Sequence, residues 1–262
     1  MSGVSDPSGV MDLNADVGEA VAADRMGAED ERLVAVLTSV SVAGGLHAGG
    51  PAVIARTVEL AERLGVAVGA HPGYADLAGF GRRDMPLGEA ELRAVILYQV
   101  GAVAAFTTGR RLQHVKPHGA MYHRAARDEV PARTIIEAVR GYDERLIHVV
   151  LAGSPWESLA RHAGVRVARE AFADRALRPD GSLLPRAEPG AVIDEPEQVA
   201  ERAVRIATEG RARAVDGSDV AVAADTLCIH GDTPGAASLA ALVRRELERA
   251  GVTIRPMGEF VR

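Results

Sequence analysis

The sequence predicts an α/β protein in which parallel strands close into a barrel of seven or eight β/α units. Apolar runs of strand length alternate with amphipathic helical stretches along the chain. The length of 262 residues suits one such barrel better than two domains. Histidines close several predicted strands, where barrel enzymes carry their active residues. An open doubly wound sheet is the alternative, but no GxGxxG motif follows the first strand, which disfavours a dinucleotide fold.

The predicted strands are apolar runs bounded by turn residues, in chain order 10–17, 40–45, 66–70, 112–116, 146–152, 165–170, 226–230 and 252–255. The predicted helices carry apolar residues three or four apart, at 51–64, 89–106, 130–139, 157–163, 196–209 and 236–250, with 30–39 helical in part. Residues 173–195 form a long loop, and loops of this length in compact barrels are often lids. Residues 211–224 fit a small hairpin that turns at Asp216 and Gly217.

The helix at 51–64 carries the clearest signals. Pro51 suits the first turn, where its missing N–H has no intrahelical partner to lose. Gly65 follows the last turn and ends the helix. The apolar residues of one face recur at Ile54, Val58, Ala61 and Leu64.

Composition bounds the class of protein. We expect residues 1–10 to be a disordered tail and residues 11–262 to form a single domain. The net charge of −6 argues against a nucleic-acid partner, since phosphate binding needs a basic face. No run of 18 apolar residues and no signal-peptide pattern is present, so we expect a cytoplasmic protein that does not contact the membrane. The only cysteine, Cys228, excludes an internal disulfide and fits a buried small hydrophobic residue better than a nucleophile.

Polar residues alternate along the first strand. Asp12, Asn14 and Asp16 share one face of it, and the apolar face would meet the helices. The polar face would then point into the barrel, where carboxylates are costly unless they are paired or used in chemistry. Asn14 is also the only asparagine in the chain. A solvated loop is the alternative interpretation of this stretch.

The fourth strand ends in HVKPHGAMY and holds the only lysine, Lys116, in a chain whose other basic residues are arginine. A lysine is a compact point charge that arginine does not replace. We expect it to point inward near Asp12 or Asp16, where it would pair with a carboxylate or bind an oxyanion or phosphate. A buried salt bridge without a catalytic role is the alternative.

Four histidines close different predicted strands and would converge on one rim if the barrel closes: His47, His71, His118 and His230. A metal site could be built from Asp16 with the first three of these, but their spacing matches no compact metal-binding motif. GFGRR places Arg82 and Arg83 on a glycine-containing loop, where a guanidinium could bind a carboxylate; an ordinary surface loop is nearly as good an interpretation.

These stretches together resemble the LamB/YcsF family, whose characterised role is as the A subunit of a bacterial 5-oxoprolinase. The motifs that carry the resemblance are, in order, DLNADVGE, HAGG, GAHPGYADLAGFGRR, YQVGA, VKPHGAMY, FADRALRPDGSLLPR, GAVI and CIHGD. The resemblance covers roughly residues 11–255. It implies a distorted β/α barrel similar to polysaccharide deacetylases. It also implies ATP-dependent opening of the lactam of 5-oxo-L-proline to L-glutamate, with subunits B and C as partners.

With the resemblance in view, the candidate residues fall into two groups. The candidates for catalysis are Asp12, Asp16, His71, Lys116 and His118. The candidates for substrate binding are Asn14, His47, Arg82, Arg83, Tyr122, Asp174, Arg175 and His230. ATP would be bound partly or wholly by the partner subunits, because the chain has no GxxxxGK[ST] motif, and a divalent metal is a further candidate cofactor.

The resemblance has departures. Ser41, Gly44 and Gly50 stand where the family pattern has Asn, Cys and Asp. The missing acid at Gly50 weakens a metal or acid role built on that turn. Three other functions therefore stay open: a metal-dependent, deacetylase-like amidohydrolase that acts alone, a divergent paralogue that acts on another lactam, and a binding subunit without activity.

Overall fold

The computed structural model describes residues 9–20, 28–186, 188–229 and 235–262. Seven parallel strands close into a barrel in the order β1-β2-β3-β4-β5-β6-β9, and β9 returns to pair with β1. The barrel predicted from the sequence is therefore confirmed, with seven strands in its wall. The strands of this part of the chain are β1 (Val10–Val17), β2 (Ser39–Ala43), β3 (Ala67–His71), β4 (His114–Val115), β5 (Ile147–Leu151), β6 (Arg166–Phe172), β7 (Arg211–Arg213), β8 (Asp219–Ala221), β9 (Thr226–Cys228) and β10 (Thr253–Ile254).

The helices lie outside the barrel and bury their apolar faces against it. The described residues form α1 (Ala28–Val34), α2 (Pro51–Arg63), α3 (Glu89–Ala104), α4 (Gly119–Ala125), α5 (Glu129–Tyr142), α6 (Pro155–His162), α7 (Pro196–Glu209) and α8 (Ala236–Arg249). The helix α2 begins at Pro51, as its sequence predicts, and α7 has the predicted bounds. None of the helices among the described residues is long and apolar enough to cross a membrane.

The ends of the barrel differ in chemistry. At the amino-terminal end of β1, the short strand β10 adds in parallel at Val10 and Met11. Met257 follows it and packs with Ile147 and Val149 in a small apolar cluster. Asp16, His71, Lys116 and Glu170 lie instead toward the carboxyl ends of their strands, as the fold class predicts. Asp12 is an exception, since it lies toward the amino-terminal end, beside Met257.

Some details differ from the sequence prediction. The helix α1 spans Ala28–Val34, whereas partial helix was predicted at 30–39. The strand β4 spans only His114–Val115, because Pro117 cannot continue the hydrogen-bonded ladder. The helix α4 was not predicted; it follows the strand at once and is only seven residues long. The hairpin of β7 and β8 is confirmed. In its described part, the long loop at 173–195 packs an apolar cluster of its own, Ala176, Leu184 and Ala191, and its role as a lid stays a prediction. Of the predicted tail, residues 1–8 lie outside the described residues.

Candidate functional site

Lys116 occupies a closed polar socket inside the rim. Its Nζ lies 2.7 Å from Glu170 Oε1 and 2.9 Å from Asp16 Oδ1. It also lies 3.0 Å from Asn14 Oδ1 and 3.1 Å from Cys228 Sγ. Burial by itself would lower the pKa of Lys116, but the neighbouring carboxylates of Asp16 and Glu170 outweigh it and hold that pKa well above its ordinary value. The lysine is therefore charged, and its three N–H donors already face four acceptors.

Glu170 is a site residue that the sequence reasoning missed. It lies in β6, is fully buried, and shares Lys116 with Asp16. Asn14 donates from Nδ2 to Glu170 Oε1 at 3.2 Å and to Thr226 Oγ1 at 2.7 Å. The amide nitrogen of Asn14 thus donates to Glu170 and Thr226, and its oxygen accepts from Lys116. These hydrogen bonds hold both charged groups, Lys116 and Glu170, in place. A signal was available, since Glu170 closes a predicted strand in the motif REAFADR.

Asp12 lies away from this socket, deeper along β1. Its carboxylate accepts hydrogen bonds from Thr38 at 2.8 Å, Ser39 at 2.9 Å and Thr226 at 2.5 Å, and from the backbone N–H of Met257 at 3.2 Å. Burial raises the pKa of Asp12 to about 6, although these hydrogen bonds oppose the change. These four hydrogen bonds use all the acceptor capacity of the Asp12 carboxylate. Its environment is therefore that of a structural residue.

Three of the four strand-end histidines converge beside Asp16. His71 Nε2 lies 2.9 Å from His118 Nδ1 and 3.3 Å from Asp16 Oδ2. The rings of His47 and His118 stack with centroids 4.0 Å apart. Glu19, which the sequence reasoning also missed, places Oε1 3.4 Å from His118 Nδ1 and 3.5 Å from His47 Nε2. His230 lies outside the described residues, so its predicted place on the rim stays a prediction.

Burial keeps two of these imidazoles neutral. It lowers the pKa of His47 to about 3 and that of His118 to about 2, and in each case the neighbouring His71 lowers it further. Asp16 acts in the opposite direction but more weakly. At neutral pH both rings therefore offer a nitrogen lone pair, the form of histidine that binds metals.

Glycines let the rings approach one another. A Cβ at Gly73 would lie 2.5 Å from His47 Nδ1, and one at Gly81 would lie 2.8 Å from His118 Cδ2. Gly81 also has a φ of +63°, which side-chain-bearing residues rarely adopt. Gly73 and Gly81 are therefore required by packing against these imidazoles, in addition to shaping a loop.

A cleft of about 720 Å³ opens beside the cluster and is lined in part by Asp16, His71, Lys116, His118 and Glu170. This size is within the usual range for small-molecule sites. These five side chains come from four strands or strand ends, those of β1, β3, β4 and β6, which lie far apart in the sequence.

The predicted substrate-binding residues divide between the cleft and other places. Arg82, Tyr122 and Arg175 line it. Arg83 does not; it binds the carboxylate of Asp76, with Nε 3.0 Å from both carboxylate oxygens, and its side chain is 68% exposed. Asp174 is buried but does not line the cleft among the described residues.

Two cleft residues are held by their surroundings. Arg175 is buried and donates to the carbonyls of Ala191 and Leu184, at 3.1 and 2.5 Å. Burial lowers the pKa of Arg175 to about 10, so it stays charged at neutral pH. Burial, and then the charge of Glu170, raises the pKa of Tyr122 well above its ordinary value. Its hydroxyl therefore stays protonated beside the carboxylate.

Cys228 is buried, as predicted, and burial raises the pKa of its thiol well above the ordinary value although Lys116 opposes this. The thiol is therefore a poor nucleophile at neutral pH. It serves Lys116 as a weak acceptor.

The three departures from the family pattern also have places in the structure. Ser41 lies in β2, with its hydroxyl 3.1 Å from His114 Nε2. At Gly44 a Cβ would lie 2.4 Å from that of Gln99, so that position is closed to a larger residue unless Gln99 moves. Gly50 precedes α2 as its N-cap and has space around it. The acid beside the histidines comes from Glu19, so the missing acid at Gly50 does not remove it.

The architecture is a closed β/α barrel with a cluster of ionisable side chains at the carboxyl rim, the arrangement of barrel enzymes. The chain belongs to the LamB/YcsF family, whose model matches residues 11–262. It is 55% identical to the 5-oxoprolinase A subunit of Syntrophobacter fumaroxidans, over 94% of this chain and 98% of that protein. It is 50% identical to the protein of the same name from Thermococcus onnurineus, over 96% and 99%. The crystal structure of a lactam utilization protein from Thermus thermophilus superposes with a TM-score of 0.87 at 49% identity, covering 94% of this chain and 99% of that one.

Proposed function

We propose that this chain is the A subunit of an ATP-dependent 5-oxoprolinase, which opens the lactam of 5-oxo-L-proline to L-glutamate together with subunits B and C. Relatives that carry this name align along nearly their whole length, which supports the assignment. The single observation that carries it is the pair of carboxylates, Asp16 and Glu170, held around Lys116 in the wall of the cleft.

The chemistry needs a base and a defined substrate pose. Water adds to the lactam carbonyl carbon, the C–N bond breaks, and the ring nitrogen takes a proton. Asp16 is the base in this proposal, because its carboxylate lies in the cleft wall and contacts both Lys116 and His71. Lys116 is a positioning residue, since its donors are engaged by the protein and its charge keeps the two carboxylates together.

Arg82 binds the substrate carboxylate in this proposal. It lines the cleft, and its guanidinium lies 5.0 Å from the centre of the Phe80 ring, which restricts its orientation. Arg83 has its carboxylate partner in Asp76 already, so we do not place it on the substrate.

ATP enters through the partner subunits. Amide hydrolysis is difficult, and phosphorylation of the amide oxygen by ATP would activate the carbonyl carbon toward water. The C–N bond then breaks with a proton going to nitrogen, and a second water hydrolyses the resulting acyl phosphate to L-glutamate and phosphate. The chain has no phosphate-binding glycine motif of the Walker type, so we assign nucleotide binding to B and C. A reaction that consumes ATP belongs in the cytoplasm, where we place the protein.

The test of the function is reconstitution. The full chain is mixed with subunits B and C of the same source, ATP and 5-oxo-L-proline, and glutamate is measured. We expect turnover only with all three subunits and ATP. A verified three-subunit complex that forms no glutamate would contradict the proposal.

A second candidate is an amidohydrolase that acts alone with a metal, which the imidazole cluster favours. Glutamate formation, or hydrolysis of another lactam, by the isolated chain without ATP would identify it. The reconstitution and the isolated-chain assay therefore separate the two functions in one experiment.

Substitutions of the neighbouring residues Arg82 and Arg83 provide a matched test of which guanidinium binds the substrate carboxylate. We expect Arg82→Gln to raise KM for 5-oxo-L-proline at least about tenfold, since a charge-assisted contact is lost. Arg83→Gln, its control, should leave KM unchanged because that side chain binds Asp76 outside the cleft. Equal effects of the two substitutions on KM would contradict the assignment.

A further inference from the structure

The hydrogen bonds of two histidines fix which of their nitrogens carry protons. His71 Nδ1 lies 2.7 Å from the carbonyl oxygen of Lys116, and His118 Nε2 lies 2.7 Å from that of Phe80. A carbonyl only accepts, so each of these nitrogens must be the N–H of its ring. Histidines that bind metals characteristically use the other nitrogen in this way, donating to a backbone carbonyl.

The remaining nitrogens of these two rings then meet. His71 Nε2 and His118 Nδ1 are 2.9 Å apart, and each is the nitrogen of its ring that is left to present a lone pair. Two lone pairs at this distance repel one another unless a proton or a cation lies between them. Carboxylate oxygens approach the same two atoms, from Asp16 at 3.3 Å and from Glu19 at 3.4 Å.

The surroundings of His47 favour a cation, rather than a shared proton, between His71 and His118. His47 is fully buried, and within the described part of the chain neither of its ring nitrogens makes a hydrogen bond, although Glu19 Oε1 lies 3.5 Å from Nε2. Buried polar atoms are almost always paired in folded proteins. A shared proton would satisfy His71 and His118 but would leave His47 as it is. A metal ion accepts electron pairs from all of these atoms at once.

We propose that Glu19, His47, His71 and His118 bind one divalent first-row transition-metal ion, of which zinc is the type. One donor atom from each residue lies within 4.8 Å of the other three, close enough to collect around a single ion. Three imidazoles and one carboxylate suit zinc, cobalt, nickel or iron, whereas magnesium and calcium prefer oxygen ligands. The donor set joins the end of β1 to β3 and to the loops after β2 and β4.

The ion would face the substrate. Among the described residues, His71 and His118 line the cleft, as does Asp16, whereas His47 and Glu19 are not part of its lining. Glycines 73 and 81 are needed for this packing, which explains their place in the motifs. The binding of metal does not depend on the lactam reaction, so failure of one proposal leaves the other standing.

The experiment measures metal directly. The full chain is prepared without a histidine tag, stripped with a chelator, and titrated with Co²⁺ while visible absorption and bound metal are recorded. Zn²⁺ then displaces the cobalt. We expect saturation at about one ion per chain, with the intense absorption of a four- or five-coordinate site. Zn²⁺ should also raise the unfolding temperature.

Matched variants locate the site. Glu19→Gln keeps the shape of the side chain and should weaken Co²⁺ binding at least about tenfold. His47→Gln should do the same. His148→Gln is the control, a buried histidine outside the cluster, and should bind as the wild type does. Circular dichroism checks that each variant is folded.

The proposal is wrong if the wild-type chain shows no saturable binding of Co²⁺, Zn²⁺, Ni²⁺ or Fe²⁺, a result that needs no variant. It is also wrong if folded Glu19→Gln binds cobalt as tightly as the wild type with an unchanged spectrum. Should His47→Gln fail to fold, the Glu19→Gln comparison decides the question.

Discussion

Lys116 is the residue on which the polar rim depends. Four acceptors from Asp16, Glu170, Asn14 and Cys228 surround its Nζ within 3.1 Å, and the side chain is only 2% exposed. Arginine would bring a planar fork with five donors into a socket built around one atom. This explains why the single lysine persists in an arginine-rich chain. Sequence reasoning predicted a partner in Asp12 or Asp16, and the lysine contacts Asp16; Glu170 was found only in the structure.

The first prediction concerns removal of the positive charge of Lys116. Lys116→Met would leave two carboxylates facing one another without a cation, and we expect the free energy of unfolding to fall by about 3–5 kcal/mol. Urea denaturation at pH 7 measures it. Turnover by the reconstituted complex should fall at least about a hundredfold, because the base loses its position.

The control for that prediction is the double variant Lys116→Met with Glu170→Gln. It removes one of the two unpaired charges, so it should recover part of the lost stability but little activity. If the double variant recovers no stability, the loss of stability in Lys116→Met comes from packing. Full activity in Lys116→Arg would contradict the argument from the shape of the socket.

At the scale of elements, the connections after the strands place the imidazoles. The turn that holds Gly81 lies against His47 and His118, and Phe80 beside it also has a positive φ, 55°. Such backbone conformations are unfavourable for an aromatic residue and persist where the surroundings require them. Here the carbonyl of Phe80 accepts a hydrogen bond from His118. The loop conformation and the orientation of the imidazole therefore support one another.

The second prediction tests this coupling. Gly81→Ala adds a Cβ 2.8 Å from His118 and 2.9 Å from His47, at a φ of +63°. Gly153→Ala is the control, because Gly153 has a similar φ of +74° but nothing within 4 Å of its Cβ. We expect the control to lose about 1–2 kcal/mol of unfolding free energy from backbone strain alone. Gly81→Ala should lose more and should also weaken cobalt binding. Equal losses would show that crowding by the rings is unimportant.

The third prediction concerns Gly50, the N-cap of α2. No side chain caps this helix end, and the backbone at Gly50 is extended, which any residue adopts. Gly50→Asp should therefore raise the free energy of unfolding by about 0.3 kcal/mol, through a capping hydrogen bond and the helix dipole. Thermal denaturation measures it. A change in cobalt affinity or spectrum would instead show that an acid here reaches the histidines, contrary to our assignment of Glu19.

At the scale of the whole molecule, the barrel buries histidines that must stay neutral for it to fold. Burial lowers the pKa of His114 to about 3 and that of His148 to about 4. In the unfolded chain these groups titrate near their ordinary value of 6.5. Because their pKa values are lower in the folded state, the unfolded state takes up protons first as the pH falls. We expect the protein to lose stability below about pH 6.5 for this reason.

The fourth prediction isolates His148, whose pKa is lowered by burial alone. Its share of the stability is complete above pH 6.5 and is lost as the pH falls to about 4. His148→Leu removes the titration, so the variant should lose less stability over that window, by up to about 3 kcal/mol. Urea unfolding at several pH values measures how steeply the free energy of unfolding changes with pH. Parallel curves for His148→Leu and wild type would contradict the prediction.

Asp12 acts in the opposite direction, since its raised pKa of about 6 makes folding less favourable as the pH rises through 4 to 6.

Patterns in the sequence predict the barrel, the positions of most helices and strands to within a few residues, and the rim on which Asp16, Lys116, His71 and His118 meet. These follow from local periodicity and from the rule that parallel strands present their carboxyl ends together. The closed barrel shows what local patterns do not: Glu170 shares Lys116 with Asp16, Glu19 joins the histidines, and hydroxyl groups surround Asp12. These groups join residues far apart in the chain, such as Asp12 and Thr226, 214 positions away. Arg83 and Asp76 lie only seven positions apart, and the conformation of the loop between them sets their pairing. Side-chain partners far apart in the chain are set by how the barrel closes, which no local pattern encodes.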